Sequence, residues 1–196
     1  MRALLTRLRR EDGVGAVEML VSIALVGTVA GALMTMVSTT SHWSTNVKEQ
    51  SAQQGEVRSA LDSLSADLRQ ATTLGGGSAV ESVGATQFTF DSPDRATPFH
   101  LRRISYRLVD GELQRSVATS TNTGAPPWNF AAAGPWLTQA TGIVNTQPFS
   151  FLDAAAAATT TPSAVRSITV TLQMRPERDA ARVTTYTTNV TLRTPQ

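Results

Sequence analysis

The dominant pattern in the sequence is a mainly apolar stretch over residues 14–37, in which Glu18 is the only charged side chain. At about 1.5 Å per residue, a helix of this length spans the roughly 30 Å hydrocarbon core of a bilayer. His42 and Trp43 follow it, and Trp is typical of the membrane interface. The pattern therefore predicts a transmembrane or assembly helix over residues 14–43. A carboxylate in such a segment needs a partner, which makes Glu18 a candidate functional residue.

The pattern then changes to that of an amphipathic helix. Apolar residues recur at every third or fourth position, at Val57, Leu61, Leu64, Leu68 and Ala71. We therefore predict that residues 44–74 extend the membrane helix and that the glycines at 75–77 end it. The three leucines are expected to face a β-sheet. Charged residues such as Asp62, Asp67 and Arg69 are expected to lie on the solvent side.

Beyond the glycines, apolar and polar residues alternate as they do in β-strands. The predicted strands are Thr86–Phe90, Leu101–Leu108, Glu112–Val117, a further short strand at Phe149–Leu152, Ser167–Met174 and Val183–Leu192. Asp110 and Gly111 are a hairpin signal between two of them. We therefore predict an α+β fold, in which one long N-terminal helix packs on an antiparallel β-sheet formed by residues 75–196. Arg102 and Arg103 are interpreted as a solvated strand face in preference to a partner-binding patch.

A long segment, residues 118–164, separates the strand pairs and is rich in Ala, Thr, Gly and Pro. Loops of this length inside a domain are either functional or disordered. The segment carries aromatic side chains at Trp128, Phe130, Trp136 and Phe149. We expect these side chains to hold an irregular loop against the core. The alternative is a protein-contact surface.

Charge and residue types narrow the possible functions. The chain has 17 basic and 15 acidic side chains, and four arginines and two acidic residues lie in residues 1–13, so the remainder has thirteen of each sign. Without a broad positive surface, we expect no nucleic-acid partner. The chain has no cysteine, which excludes disulfides.

Candidate catalytic groups are sparse. The two histidines, His42 and His100, fit no recognisable metal-binding spacing, and no Gly-rich phosphate loop stands out. Acidic residues such as Asp62 and Asp67 fit a hydrated helix face better than an acid–base pair. We therefore expect no enzymatic activity and no cofactor.

The N-terminal residues resemble those of the type IV prepilin family. The resemblance lies in a short basic leader, residues 1–13, which ends in Gly13, and in Glu18 as the fifth residue after it. It implies that a prepilin peptidase cleaves after Gly13 and that Val14 becomes the N-methylated first residue. Positions four apart share a helix face, so the Val14 amine and Glu18 can neutralise each other within one subunit or between neighbours. Val14 stands where the family usually has Phe, and Thr35 lies near the place of a family Pro.

Three other interpretations of the N-terminus fit the sequence less well. A secretory signal ending near residues 30–32 has an apolar core of about 7 to 15 residues, which is shorter than this segment. A twin-arginine signal at Arg9 and Arg10 is a poor match because two acidic residues follow directly. A plain signal anchor explains the length and leaves Gly13 and Glu18 without a role.

Gly27 and Gly31 form a Gly-xxx-Gly pattern within the membrane segment. Small residues at this spacing let helices approach closely in lipid, so the pair is a candidate assembly contact. The competing interpretation is the ordinary glycine content of membrane helices.

The order of elements is similar to that of the J-type minor pseudopilin of type II secretion and of related minor pilins. The resemblance implies a subunit in the tip or initiation complex of a type II secretion or type IV pilus filament. The implied partners are other pilins or pseudopilins and an inner-membrane assembly platform. The leader arginines predict a cytoplasmic N-terminus and an extracytoplasmic C-terminal domain. The alternative is a single-pass anchored binding module for cargo or a partner protein.

Overall fold

The structure, a computed structural model, describes residues 2–73, 78–175 and 182–192. Within these residues the chain forms one α-helix, eight β-strands and one short 3-10 helix. The chain divides into two compact units, Met1–Glu49 and Gln50–Gln196. The fold is therefore α+β with antiparallel sheets, as the sequence predicts.

Helix α1 spans Arg2–Arg69. Its segment Gly15–Ser38 is long and apolar enough to cross a membrane, and every residue in that segment is exposed. The prediction of an N-terminal helix of membrane length is confirmed.

Five strands form the first sheet. They are β1 (Val80–Ser82), β2 (Gln87–Asp94), β3 (His100–Val109), β4 (Glu112–Thr119) and β5 (Leu137–Ala140), and they pair antiparallel in sequence order. The β3–β4 hairpin turns at Asp110 and Gly111, whose φ angles are 51° and 76°. Two successive residues with positive φ are what a tight hairpin turn of type I′ requires, so the hairpin prediction is confirmed.

Three strands form the second sheet. They are β6 (Phe149–Leu152), β7 (Ser167–Met174) and β8 (Thr184–Thr191), in the order β6-β7-β8, and a 3-10 helix at Pro162–Ala164 precedes β7. The strands are thus divided between two sheets, whereas the sequence predicted one. The predicted bounds of β6 and β7 are confirmed, and those of β8 differ by one residue at each end.

Strands β1 and β5 were not predicted. Each has only three or four residues, which is too short for an alternating pattern to show. Strands β5 and β6 both lie within residues 118–164, so this segment is less irregular than expected.

One hydrophobic core joins the amphipathic half of α1 to both sheets. Leu61, Leu64 and Leu68 are buried in it, as predicted. Phe88 lies among the aromatic rings, and its centroid is 4.7 Å from that of Phe149 and 5.9 Å from that of Tyr106. Aromatic pairs at these distances add to the stabilisation that burial provides.

The helix ends earlier than the sequence predicted. Ala71 N–H donates to the Leu68 carbonyl at 3.0 Å, and Thr72 N–H donates to the Asp91 carbonyl of β2 at 3.0 Å. The chain therefore leaves the helix to bond with the sheet. The glycines at 75–77, which were expected to end the helix, lie outside the described residues.

The two sheets meet at Ile143. Its N–H donates to the Gly111 carbonyl at 3.0 Å, and it forms a β-bridge with Met174 of β7. A Cβ on Gly111 would lie 2.9 Å from the Ile143 carbonyl oxygen. The close approach and the positive φ together require glycine at this turn.

Candidate functional site

Glu18 lies near the start of the exposed apolar segment Gly15–Ser38. Its side chain is itself exposed, so a group outside the subunit can reach it. Gly13 and Val14 lie in α1, upstream of this segment. Cleavage between them stays a prediction.

Gly27 and Gly31 leave the surface of the membrane-length segment open. A Cβ built at either position meets nothing within 4 Å. Positions four apart share a helix face, so together the two glycines expose a patch of backbone to a neighbouring helix. Nearby, the Thr28 hydroxyl donates to the Ala24 carbonyl at 2.9 Å and the Thr35 hydroxyl to the Ala32 carbonyl at 2.8 Å. These bonds satisfy both hydroxyls within the helix.

A second open face lies on the amphipathic half of α1. Small residues at helical spacing are all exposed there: Ala52, Gly55, Ser59, Ser63 and Ala66. A Cβ at Gly55 meets nothing within 4 Å. We call these five residues the small-residue face. This face was not predicted from the sequence, because the apolar positions alone placed the helix, although the small residues recur at helical spacing.

Asp67 joins α1 to the interior of the first sheet. Its Oδ2 accepts hydrogen bonds from the Tyr106 hydroxyl and the Arg115 Nε, both at 2.8 Å. Tyr106 and Arg115 are direct partners across β3 and β4. The side chains of Asp67 and Arg115 are only 15% and 22% exposed. The prediction that Asp67 faces solvent is therefore wrong.

The environment of this cluster changes two ionisation equilibria. Burial, together with the charge and hydrogen bond of Asp67, raises the pKa of Tyr106 far above its ordinary value. Burial alone lowers the pKa of Arg115, but the hydrogen bond and charge of Asp67 outweigh it, so that the pKa is raised. Both effects favour a neutral tyrosine and a charged arginine.

The opposite face of the first sheet carries two arginines under aromatic rings. Arg103 donates from Nε to Asp91 Oδ1 at 2.9 Å and also pairs with Glu81 at 2.9 Å, while the Phe130 ring centroid lies 4.1 Å from its guanidinium carbon. The hydrogen bond with Asp91 raises the pKa of Arg103 against the effect of burial. The interpretation of Arg103 as part of a solvated face is therefore wrong.

Arg107, four residues further along β3 on the same face of the sheet, makes a similar contact. Its guanidinium carbon lies 4.0 Å from the Trp136 ring centroid, and its Nε donates to Gln114 Oε1 at 2.9 Å. Guanidinium groups stack favourably on aromatic faces. The segment 120–136 is thus held on the outer face of the sheet by two arginine–aromatic contacts.

The predicted role of the four aromatic residues is confirmed only for Phe149, which is buried in the core. Phe130 and Trp136 bind arginines instead, and the Trp128 ring packs against Phe99 with centroids 5.9 Å apart. Residues 120–136 therefore lie against an outer polar face. Sequence reasoning could not pair them with specific arginines.

His100 serves the same loop. Its Nδ1 lies 2.9 Å from the Ser120 carbonyl oxygen, within hydrogen-bonding distance. In the part of the chain that the structure describes, no group of three His, Cys, Asp or Glu side chains is arranged to hold a metal ion. The polar contacts described above hold α1 and residues 120–136 to the first sheet.

Comparison of the sequence with models of known protein families gives no match, and comparison with curated proteins gives no significant match.

Proposed function

We propose that this chain is a pilin-like structural subunit, of the minor pilin or pseudopilin type, in a filament of type II secretion or type IV pilus assembly. The observation that carries the proposal is Glu18, one carboxylate in an exposed helix of membrane length, five positions after Gly13. A carboxylate in lipid needs a partner. Cleavage after Gly13 would give a neighbouring subunit a free amine at Val14, and this amine is the proposed partner.

Two open helix faces support a role in assembly. Gly27 and Gly31 allow close approach within the membrane segment, and the small-residue face allows it in the soluble half of α1. Close approach of helices strengthens van der Waals packing where lipid supplies no hydrophobic driving force. The proposed neighbours are other pilins or pseudopilins, with an inner-membrane assembly platform beneath them.

The proposal includes the processing and the orientation of the chain. A prepilin peptidase removes residues 1–13, the Val14 amine is methylated, and the N-terminus of the single-pass anchor is cytoplasmic. The unit Gln50–Gln196 then acts outside the cytoplasm as a shaped contact surface, and the chain has no catalytic role.

The test is to substitute Glu18 in the full chain in its native cell. Glu18→Gln removes the charge and keeps a hydrogen-bonding group, whereas Glu18→Ala removes both. Ser22→Ala, in the same segment, is the matched control. Both Glu18 variants should insert and be processed to Val14, but enter filaments about tenfold less, the equivalent of roughly 1.4 kcal/mol.

Three measurements decide the outcome. N-terminal sequencing and intact mass of the membrane-extracted chain should show a methylated Val14, and a start at any other residue contradicts the processing step. Filament recovery of the Glu18 variants equal to that of wild type contradicts the role of Glu18. A wild-type chain that is processed but never enters a filament favours the anchored binding module.

A further inference from the structure

The four outer strands of the two sheets differ in how they are protected. Strands β1, β5 and β6 have three or four residues, and the pairing of β1 and of β5 is also irregular. Strand β8 has eight residues and pairs with β7 without any break in register. Proteins usually shorten, bulge or charge an edge strand because an unpaired edge is a template for another strand. Among these four outer strands of the described residues, only β8 combines length, regularity and the absence of charge, Pro and Gly.

The free edge of β8 can be assigned residue by residue. Leu192 N–H donates to the Arg166 carbonyl at 2.8 Å, which marks a hydrogen-bonded pair just beyond the ladder. In an antiparallel ladder, every second pair exchanges hydrogen bonds. In β8 the even-numbered residues therefore bond to β7. The N–H and C=O groups of Thr185, Thr187 and Asn189 face away from β7, towards the free edge.

The outer side of β8, the sheet face that points away from α1, carries polar and uncharged side chains. The side chains of Thr185, Thr187 and Asn189 are exposed. Asn189 Nδ2 donates to Thr169 Oγ1 at 2.7 Å, and the Thr187 and Thr171 hydroxyls lie 3.3 Å apart. These contacts join the exposed side chains of β8 to those of β7. No like charge would repel an incoming strand here.

The inner side of β8 lies beside α1. The guanidinium carbon of Arg58 is 5.8 Å from the Tyr186 ring centroid, and the Ser65 hydroxyl is 3.1 Å from that of Thr188. Asp62 lies between Arg58 and Ser65 on the same helix face, and both charged residues are exposed. A strand added to β8 would therefore lie next to one positive and one negative side chain.

We propose that β8 is the docking edge for an extended segment of a different subunit of the same membrane assembly, which adds as a further strand. The segment has neutral polar residues on its outer side, and on the helix side it has an acidic residue for Arg58 and a basic residue for Asp62. Backbone hydrogen bonds supply the affinity of such strand addition, and alternate side chains supply its specificity. That the partner is a subunit of the same membrane assembly rests on the proposed function. That β8 offers a free edge for strand addition does not.

A second copy of this chain does not fit the edge. Arg58 and Asp62 call for an acidic and a basic residue on the helix side of the added segment. Strand β8 itself, Thr184–Thr191, has no acidic and no basic side chain. A second β8 strand therefore does not supply the charges that this edge favours.

The test uses the full chain, extracted from its native membranes in mild detergent with its bound subunits. Thr187→Pro removes one edge-facing N–H and spares the ladder with β7, because Pro is tolerated on an edge strand where the N–H faces outward. Thr187→Val keeps the N–H and is the matched control. Thr187→Pro should reduce recovery of other pilin-like subunits about tenfold, as expected for the loss of a backbone hydrogen bond in a strand pair. Thr187→Val should not reduce it.

Hydrogen exchange distinguishes strand addition from any other contact. In the complex, the amides of Thr185, Thr187 and Asn189 should exchange about tenfold or more slowly than in the isolated chain, while those of Tyr186 and Thr188 should change little. Equal exchange of the three edge amides in both states overturns the proposal. Equal recovery with Thr187→Pro and wild type also overturns it.

Two further outcomes separate this proposal from the proposed function. If pilin-like subunits bind wild type and Thr187→Pro equally, only the docking edge is wrong. If no such subunit binds wild type, both proposals are wrong. The chain contains no cysteine, so a disulfide-linked dimer of Thr187→Cys in the membrane would identify a second copy as the occupant and overturn the assignment to a different subunit.

Discussion

The Tyr106 hydroxyl donates a 2.8 Å hydrogen bond to the Asp67 carboxylate and so ties the interior of the first sheet to α1. Arg115 donates to the same oxygen at 2.8 Å from the neighbouring strand. Because Tyr106 and Arg115 are cross-strand partners, one carboxylate spans both strands. The three residues fix the last turns of α1 over β3 and β4.

Removing this carboxylate should destabilise the unit Gln50–Gln196. Asp67→Ala leaves the Tyr106 hydroxyl and a largely buried Arg115 without their acceptor, and we expect a loss of about 2 to 3 kcal/mol in the free energy of unfolding. Asp62→Ala, on an exposed part of the same helix, should change it by less than about 0.5 kcal/mol. Denaturant unfolding of the full chain in detergent, followed by Trp fluorescence, measures both. Equal losses for the two variants would show that the contacts of Asp67 with Tyr106 and Arg115 add no stability.

Tyr106 should also make stability depend on alkaline pH. Its pKa is raised above the ordinary value of 10.0, so the unfolded chain loses this proton at lower pH than the folded chain. The stability contribution is therefore complete below pH 10 and falls as the pH rises further. Tyr106→Phe should flatten this part of the profile. The chain has two tyrosines, so the absorbance of tyrosinate on raising the pH should show one late ionisation that this variant removes.

The sequence predicted those elements whose pattern is long and regular. The buried leucines of α1, the β3–β4 hairpin and strands β6 and β7 lie where periodicity and the turn residues at 110 and 111 placed them. The division into two sheets could not be predicted, because it is set by which strands pair with which. The residues that join the two sheets, Gly111, Ile143 and Met174, are also distant in sequence.

Contacts between polar side chains were the main failure of sequence reasoning. Asp67 and Arg103 were assigned to solvent because single charges on a helix or strand usually lie there. Asp67 instead meets an arginine 48 positions away, and Arg103 meets Asp91 12 positions away. No local pattern encodes such pairs. Glu18, Gly27 and Gly31 were recognisable because their significance comes from the apolar residues around them in the sequence.

Residues 120–136, which lie on the outer face of the first sheet, should be held less firmly when one of the two arginine–aromatic contacts is removed. Trp136→Ala removes the ring that lies 4.0 Å from the guanidinium carbon of Arg107. A contact of this kind is worth about 0.5 to 2 kcal/mol, so the global stability should fall only modestly. Limited proteolysis within residues 120–136 should become faster. Leu137→Ala, at an exposed neighbouring residue, is the control, and equal cleavage of both variants would contradict the role of the contact.

The turn at Gly111 should tolerate no side chain, for two separable reasons. Gly111 and Gly124 both have positive φ, at 76° and 90°, so alanine is strained at either position by about 1 to 2 kcal/mol. Only at Gly111 does a Cβ also meet a backbone atom, the Ile143 carbonyl oxygen at 2.9 Å, whereas at Gly124 it meets nothing within 4 Å. Gly111→Ala should therefore lower the free energy of unfolding by about 1 to 3 kcal/mol more than Gly124→Ala, because the contact between the two sheets must open to admit the methyl group. Denaturant unfolding of the two variants measures the difference. Equal destabilisation would show that the contact between Gly111 and Ile143 opens without a loss in the free energy of unfolding.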